Sequence, residues 1–336
     1  VVPTRSGELI GQVTDPQGAA YLVRLHTYLP GKPLATVRPH SDALLTEVGA
    51  YFGHVTVALR DFDHPAAHRD FDWDLRRARQ VIKDHIERLP AVQQGAVQRC
   101  VTHFDAEVAP FVDELPLSVI HGDGNDYNVL VVVDDWALRV SGVIDYGDMI
   151  YSWTAAELAV VAAYAMLGKT DPLMAAAHVT RGFHGVCPLT EVEVEALYDL
   201  IRLRLCQSMV MAARQRAAAP ENGYLTVSQE PVWALLQQLD DVPPTLASGV
   251  LRAACGLPAA RTLAPVLAWL AEQQRHVRPA VDADLGATGQ LFIDQRPGSP
   301  LFAVHPQTLS RDVLTRLIEA EMACHNTQTA VGPYSE

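Results

Sequence analysis

The stretch that decides how this chain is read is His121-Gly122-Asp123-Gly124-Asn125-Asp126-Tyr127-Asn128-Val129-Leu130-Val131, followed by Ile144-Asp145-Tyr146-Gly147-Asp148. A polar, glycine-bearing loop runs into a nearly continuous apolar segment, Asn128 to Val133, as expected of a buried strand. Leu138 to Ile144 reads as its partner, with the turn at Asp134-Asp135, and Leu117 to Ile120 reads as a short strand ahead of the loop. Such a hairpin brings Asn128 and Asp145 back to one end, although Asp145 lies seventeen residues after Asn128. Asp123, on a loop leaving a strand, can accept the proton of a hydroxyl. Asn128 and Asp145 are hard oxygen ligands, suited to a magnesium ion that keeps several waters and bridges nucleotide phosphates. Phosphoryl transfer needs these parts: a positioned hydroxyl, charge neutralisation at the phosphates and in-line geometry. The competing reading is a plain strand–loop–strand with polar turn residues, and His-Gly-Asp alone says little. The compound spacing, Asn five and Asp twenty-two residues after Asp123, favours the chemical reading.

Upstream, Glu8–Val13 and Ala20–His26 read as two strands around Asp15-Pro16-Gln17-Gly18, and Leu29-Pro30-Gly31 ends the second. Apolar residues at Leu44, Leu45, Val48, Phe52, Val55 and Leu59 have helical spacing, with Ser41 as the N-cap. Residues 61–74 form a loop rich in His, Asp and aromatics. Helices are expected over Asp74–Ile86 and Val92–Val108. Downstream, helices are expected over Ala155–Leu167, Asp171–Phe183, Thr190–Ala218, Pro231–Leu239, Thr245–Ala254 and Arg261–Gln274. The tail from His276 changes character: glycine and proline punctuate it before a strand-like Leu301–Val304 and a helical Leu309–Met322.

Bulk properties exclude several classes. The chain has 336 residues, enough for two lobes, with 49% hydrophobic and 19% charged residues, the balance of a folded globular protein. A net charge of −13 with only 26 Lys plus Arg leaves no basic face for a nucleic-acid partner. The longest apolar stretch, Leu158 to Leu167, is too short to span a bilayer, so no membrane partner is expected. Five widely spaced cysteines form no CxxC pair, which argues against zinc or a disulfide framework and fits a cytoplasmic setting.

With these residues in place, a resemblance is plain. HGDxxxxN, a strand pair and IDxxD resemble the signature of the aminoglycoside phosphotransferase–choline kinase group, relatives of the protein kinases. The fuller strings HGDGNDYNVLV and VIDYGDM look like the hydroxylysine kinase branch, supported by Tyr21–Leu25, Leu29-Pro30-Gly31, Trp73-Asp74-Leu75, Ala156–Ala159 and Tyr224-Leu225 before Trp233. The resemblance covers residues 1–272. It implies an α+β protein kinase-like fold, with a truncated N-terminal β lobe and a mostly helical C-terminal lobe. Residues 1–31 would be the remnant of the first lobe and the hinge, 32–275 the phosphotransferase lobe, and 276–336 a linker into a further domain, as in members fused to a class III aminotransferase.

The resemblance also implies roles. Asp123 is the catalytic base, Asn128 and Asp145 the magnesium ligands, and His121 and Glu157 supports of the catalytic loop; Glu157 stands where the wider family often has Asp. The backbone of Thr27, Tyr28 and Leu29 is the hinge that meets the nucleotide base, from ATP or GTP. Asp126, Asp148, Trp73 and Arg204 are candidates for the substrate, each with a structural alternative: a loop cap for Asp148, a core ion pair for Arg204. The His- and Asp-rich loop 61–74 lacks metal-ligand spacing and reads as a solvated loop or substrate lid. The expected acceptor is the hydroxyl of a small amino-bearing metabolite such as hydroxylysine. Aminoglycoside, choline or homoserine kinase is the alternative within the class, and a pseudokinase docking module the alternative outside it. The lysines are Lys32, Lys83 and Lys169, and none precedes the hinge. A phosphate-binding Lys and its Glu are therefore missing from this chain, and weak or no activity is expected from it alone.

Overall fold

The computed structural model describes residues 1–218 and 229–259, together with three strands further on. It divides into two compact units, Val1–Cys255 and Gly256–Glu336.

The first unit opens with a hairpin, β1 (Gly11–Thr14) and β2 (Ala20–Val23), in which Gly11 pairs with Val23 and Thr14 with Ala20. The chain then runs extended to β3 (Lys32–Pro33) and into α1 (Asp42–Leu59). Ser41 caps α1, its hydroxyl oxygen accepting from the Leu44 amide at 3.2 Å. A loop carrying two short 3-10 turns leads to α2 (Ala78–His85) and α3 (Ala91–Glu107). Asp74 caps the turn before α2, so the helix expected from Asp74 begins as a 3-10 turn.

Two small sheets carry the loop that the sequence marks. β4 (Leu117–Ile120) pairs antiparallel with β7 (Ile150–Trp153), a strand the sequence reading did not anticipate. β5 (Val129–Asp134) and β6 (Ala137–Val143) form the expected hairpin, and β3 adds to the outer edge of β5. The turn falls at Asp135-Trp136 rather than Asp134-Asp135, because Asp134 still pairs with Ala137. Both turn residues have positive φ, 44° and 64°, as a tight two-residue hairpin turn requires.

The rest of the unit is helical: α4 (Thr154–Ala165), α5 (Pro172–Val186), α6 (Glu191–Ala218), α7 (Gln229–Asp240) and α8 (Pro244–Ala254). α4 is apolar nearly all round and buried along its length, the signature of a central core helix. α1 and α5 cross at glycines. A Cβ on Gly49 would stand 1.9 Å from the Val179 carbonyl oxygen, and one on Gly182 1.8 Å from that of Thr46. Backbones this close leave no room for any side chain.

In the second unit the described strands β8 (Val281–Asp284), β9 (Leu291–Asp294) and β10 (Phe302–Val304) form an antiparallel sheet with β9 in the middle. The helices expected over 261–274 and 309–322 lie outside the described residues. Among the described residues, no helix is long and apolar enough to cross a membrane.

Candidate active site

The loop between β4 and β5 is fixed in the core before it presents any chemistry. Gly122 has φ of 76°, a left-handed conformation that side chains resist. A Cβ on Gly124 would lie 2.6 Å from Val161 and 2.8 Å from the Phe52 ring, so the loop rests directly on α4 and α1. His121 is fully buried and uses both ring nitrogens: Nε2 donates to the Ile144 carbonyl at 3.0 Å and Nδ1 accepts from the Asp123 amide at 3.2 Å. These partners set a neutral tautomer, and burial lowers its pKa further. His121 thus ties the loop to the far end of β6.

Beneath it sits Glu157, the one charged residue in α4 and wholly buried. Its Oε2 accepts from the His121 amide at 2.5 Å. Burial pushes its pKa up to about 7, against the opposing pull of the His121 and Gly122 amides.

Asp123 has its orientation fixed by several donors. Oδ2 accepts from Asn128 Nδ2 at 2.8 Å and from Asn125 Nδ2 at 3.0 Å, and Oδ1 faces Arg204 Nη2 at 3.4 Å. Asn125 was not singled out from the sequence; an amide two residues after the base, inside the motif, was the available signal. Asn128 spends its other amide hydrogen on the Asp123 carbonyl at 2.9 Å, which leaves its side-chain oxygen for a cation. Its carbonyl accepts from the Ile144 amide at 3.0 Å, so the hairpin ends with Asn128 beside Asp145.

Asp145 is exposed and left-handed, with φ of 64°. A non-glycine residue in that region stores strain of about 1–3 kcal/mol and is over-represented at functional sites. The pKa of Asp148 is raised, by burial first and then by the negative charges of Asp123 and Asp145. Three carboxylates therefore share one small region, and a cation there would relieve their repulsion. Among the described residues, no three His, Cys, Asp or Glu side chains converge as a self-sufficient metal cage. A two-donor site completed by water and phosphate, as magnesium accepts, fits the Asn128 and Asp145 pair.

α6 closes one side. Arg204, only 1% exposed, donates from Nη1 to the Trp73 carbonyl at 3.1 Å and lies 4.6 Å over the Trp73 ring. Gln207, one turn on, donates to the Asp72 carbonyl at 2.7 Å, and Arg214 pairs with the Asp72 carboxylate at 2.5 Å. Together they clamp residues 72–74 next to the base. Arg204, read from sequence as a candidate for a substrate carboxylate, thus spends its charge on Asp123 and its plane on Trp73.

The structure does not bring Asp126 into this group. The cations it feels are Arg38 and Lys169, behind the loop, and burial raises its pKa. There Lys169 Nζ lies 2.6 Å from His40 Nδ1, and burial lowers the Lys169 pKa to about 8. Thr27, Tyr28 and Leu29 are exposed and run beside the hairpin, where Ser141 Oγ donates to the Pro30 carbonyl at 2.7 Å and the Leu29 side chain lies against Gly142.

Comparison with known proteins agrees with this geometry. Residues 5–189 match the family described as Phosphotransferase enzyme family. The chain is 35% identical over 255 residues to hydroxylysine kinase of Mus musculus, covering 72% of this chain and 68% of that protein. It is 35% identical over 234 residues to hydroxylysine kinase of Bos taurus, covering 66% of this chain and 62% of that protein. The chain thus spans about two thirds of the length of these relatives. Among solved structures, a microcompartment-associated aminopropanol kinase aligns over 77% of each chain with a TM-score of 0.50 and 14% identity, a likeness of fold. A kinase-like fold, a two-carboxylate loop and a match over more than half the chain place this protein in the phosphotransferase enzyme family, among the small-molecule kinases related to hydroxylysine kinase.

Proposed function

We propose that this chain transfers the terminal phosphoryl group of ATP or GTP to the hydroxyl of a small amino-bearing metabolite of the hydroxylysine type. The observation that carries the reading is the placement of Asp123, held by Asn125, Asn128 and Arg204, on a loop whose end, Asn128, is bonded through its carbonyl to the Ile144 amide next to Asp145.

In this mechanism the acceptor's hydroxyl proton passes to Asp123 Oδ1, the carboxylate oxygen that does not accept from Asn125 and Asn128, as the hydroxyl oxygen attacks phosphorus in line. Asn128 Oδ1 and Asp145 would hold a magnesium ion, which would supply charge neutralisation at the nucleotide phosphates. Asn128 would thereby couple the two centres: its amide nitrogen orients the base, and its amide oxygen would be left to hold the metal. His121 and Glu157 keep the loop in this shape without touching reactants. The backbone of Thr27–Leu29 meets the nucleotide base, and Trp73 walls the acceptor.

A panel of hydroxylysine, homoserine, choline and kanamycin, each with magnesium and ATP or GTP, tests the reading. The expected result is phosphorylation of hydroxylysine above the others and its loss in Asp123→Asn. Magnesium-dependent nucleotide binding without transfer to any acceptor, even at long times, would instead favour a docking role.

A further inference from the structure

An ionised carboxylate can accept hydrogen bonds from about four directions, two on each oxygen. On Asp123, Asn125 and Asn128 fill those of Oδ2, at 3.0 and 2.8 Å, and Arg204 Nη2 takes one on Oδ1 at 3.4 Å. The direction left over lies on Oδ1, and an acceptor hydroxyl must donate through it. Asn125 and Asn128 belong to the catalytic loop itself. Arg204 comes from α6, 81 residues further along the chain.

The Arg204 guanidinium is caged. It lies 4.6 Å over the Trp73 ring and 5.8 Å from the centre of the Tyr164 ring, and the Tyr164 hydroxyl is tied back to α6 at 3.2 Å from Ser208 Oγ. Nη1 donates to the Trp73 carbonyl at 3.1 Å. Among the described residues, Asp123 is the one carboxylate that Arg204 pairs with, and its buried Nε has no hydrogen-bond partner. Such a residue is a poor device for stability. Desolvating a buried guanidinium with an unsatisfied N–H is not offset by one ion pair at 3.4 Å, and an apolar side chain of similar volume would pack there at least as well. The arginine supplies what an apolar side chain cannot: a fixed donor on Oδ1, and a planar link from that donor to Trp73.

We propose that Arg204 is a positioning residue for phosphoryl transfer: by filling one direction on Asp123 Oδ1 and gripping Trp73, it leaves the acceptor hydroxyl a single donating direction and holds the base and the acceptor wall as one rigid piece. This rests on the phosphotransferase reading and adds to it a residue outside the His121–Asp145 motif. Arg204 touches neither reactant. It acts through Asp123 and Trp73, so its loss slows the bound complex and leaves nucleotide binding alone. A displacement of about 1 Å at the base is enough to lower the rate on the order of 10²-fold.

The test measures kcat and the KM for nucleotide in Arg204→Lys and Arg204→Met, with hydroxylysine as acceptor and rates normalised to folded protein by near-ultraviolet circular dichroism. Lysine keeps the charge but lacks the planar fork that reaches Oδ1 and the Trp73 carbonyl together. The expected kcat is about tenfold lower in Arg204→Lys and about 100-fold lower in Arg204→Met, with KM for the nucleotide within about twofold of wild type. Should Arg204→Met not fold, Arg204→Lys carries the test. The same lysine substitution in an Asp123→Asn background separates positioning from architecture. Because Arg204 acts through the Asp123 carboxylate, Arg204→Lys is expected to change the residual kcat there by less than about twofold. A kcat within about threefold of wild type in the Arg204 variants, a nucleotide KM that rises as kcat falls, or losses that multiply in the double variant would each overturn the proposal. Wild-type transfer that is indifferent to Arg204 leaves the kinase reading standing. A wild-type chain that phosphorylates no acceptor overturns both.

Discussion

β1–β2 and β5–β6 are both short antiparallel hairpins closed by tight turns, and they have opposite fates. In the first, Asp15 Oδ1 accepts from the Gln17 and Ala19 amides at 2.9 and 2.8 Å, and Gly18 takes φ of 87°. In the second, Asp135 and Trp136 turn the chain with positive φ. The turn chemistry is equally good in both. Yet Val13, Tyr21, Leu22 and Val23 are all exposed, whereas Val129, Leu130, Val131 and Val143 are buried. An isolated pair of strands is marginal in water. β5–β6 gains a third strand, β3, and His121 and Asn128 lock its open end. Local pairing makes a hairpin; what packs on it decides whether its ends can hold two groups in register for catalysis.

The comparison can be broken most sharply at the locked end. Asp123→Asn keeps the side-chain shape and an oxygen for the Asn125 and Asn128 amides, turns its own amide nitrogen towards Arg204 and removes the base, and transfer is expected to fall by roughly 10²- to 10⁴-fold in a protein that still unfolds cooperatively. A fall of less than tenfold, measured in the same acceptor assay, would mean that the geometry is not being used for proton transfer.

Glu157 sharpens the point through pH. Its folded-state pKa is raised, so the folded form holds a proton that the unfolded chain releases near pH 4.5. The stability this gives is fully present below that value and is lost as pH rises towards about 7. Glu157→Gln keeps an acceptor for the His121 amide and cannot ionise. Urea unfolding at pH 5 and pH 8 should differ less in this variant than in the wild type, by roughly 3 kcal/mol. Parallel pH dependences in the two proteins would show that Glu157 titrates normally.

The two hairpins themselves give the smaller effects. Val131→Ala, in the buried strand, should cost roughly 1.5–3 kcal/mol by chemical denaturation. Leu22→Ala, 77% exposed on β2, should stay within about 0.5 kcal/mol. Amide exchange should be slow in Val129–Val131 and fast throughout Gly11–Val23. Equal protection in both hairpins would remove the contrast.

Much of this was legible before the structure. The helices α1 and α3 to α8 follow apolar periodicity and end near the expected residues, because long amphipathic or apolar segments leave few alternatives. The β5–β6 hairpin was readable too, while its turn was displaced by one residue, since either acidic residue suits a turn and register is set by the core. β7 was missed because Ile150-Tyr151-Ser152-Trp153 is too short to signal itself; it is a strand because β4 offers it an edge. The candidate residues were readable as types at spacings, and the partners were not. Nothing in the sequence says that Asn125 would hold Asp123, that α6 would deliver Arg204 and Gln207 to the 72–74 loop, or that Asp126 would face Arg38 and Lys169 instead.

The sequence by itself determined the family, the strand–loop–hairpin and the identity of the groups that can do the chemistry, because motif spacing and side-chain period are properties of consecutive residues. The tertiary structure alone decided which charges meet. Arg204 lies 81 residues from Asp123, and Arg69 78 residues from Gly147. Such pairings follow from helix packing and buried polar satisfaction, which depend on the whole core and on no local segment.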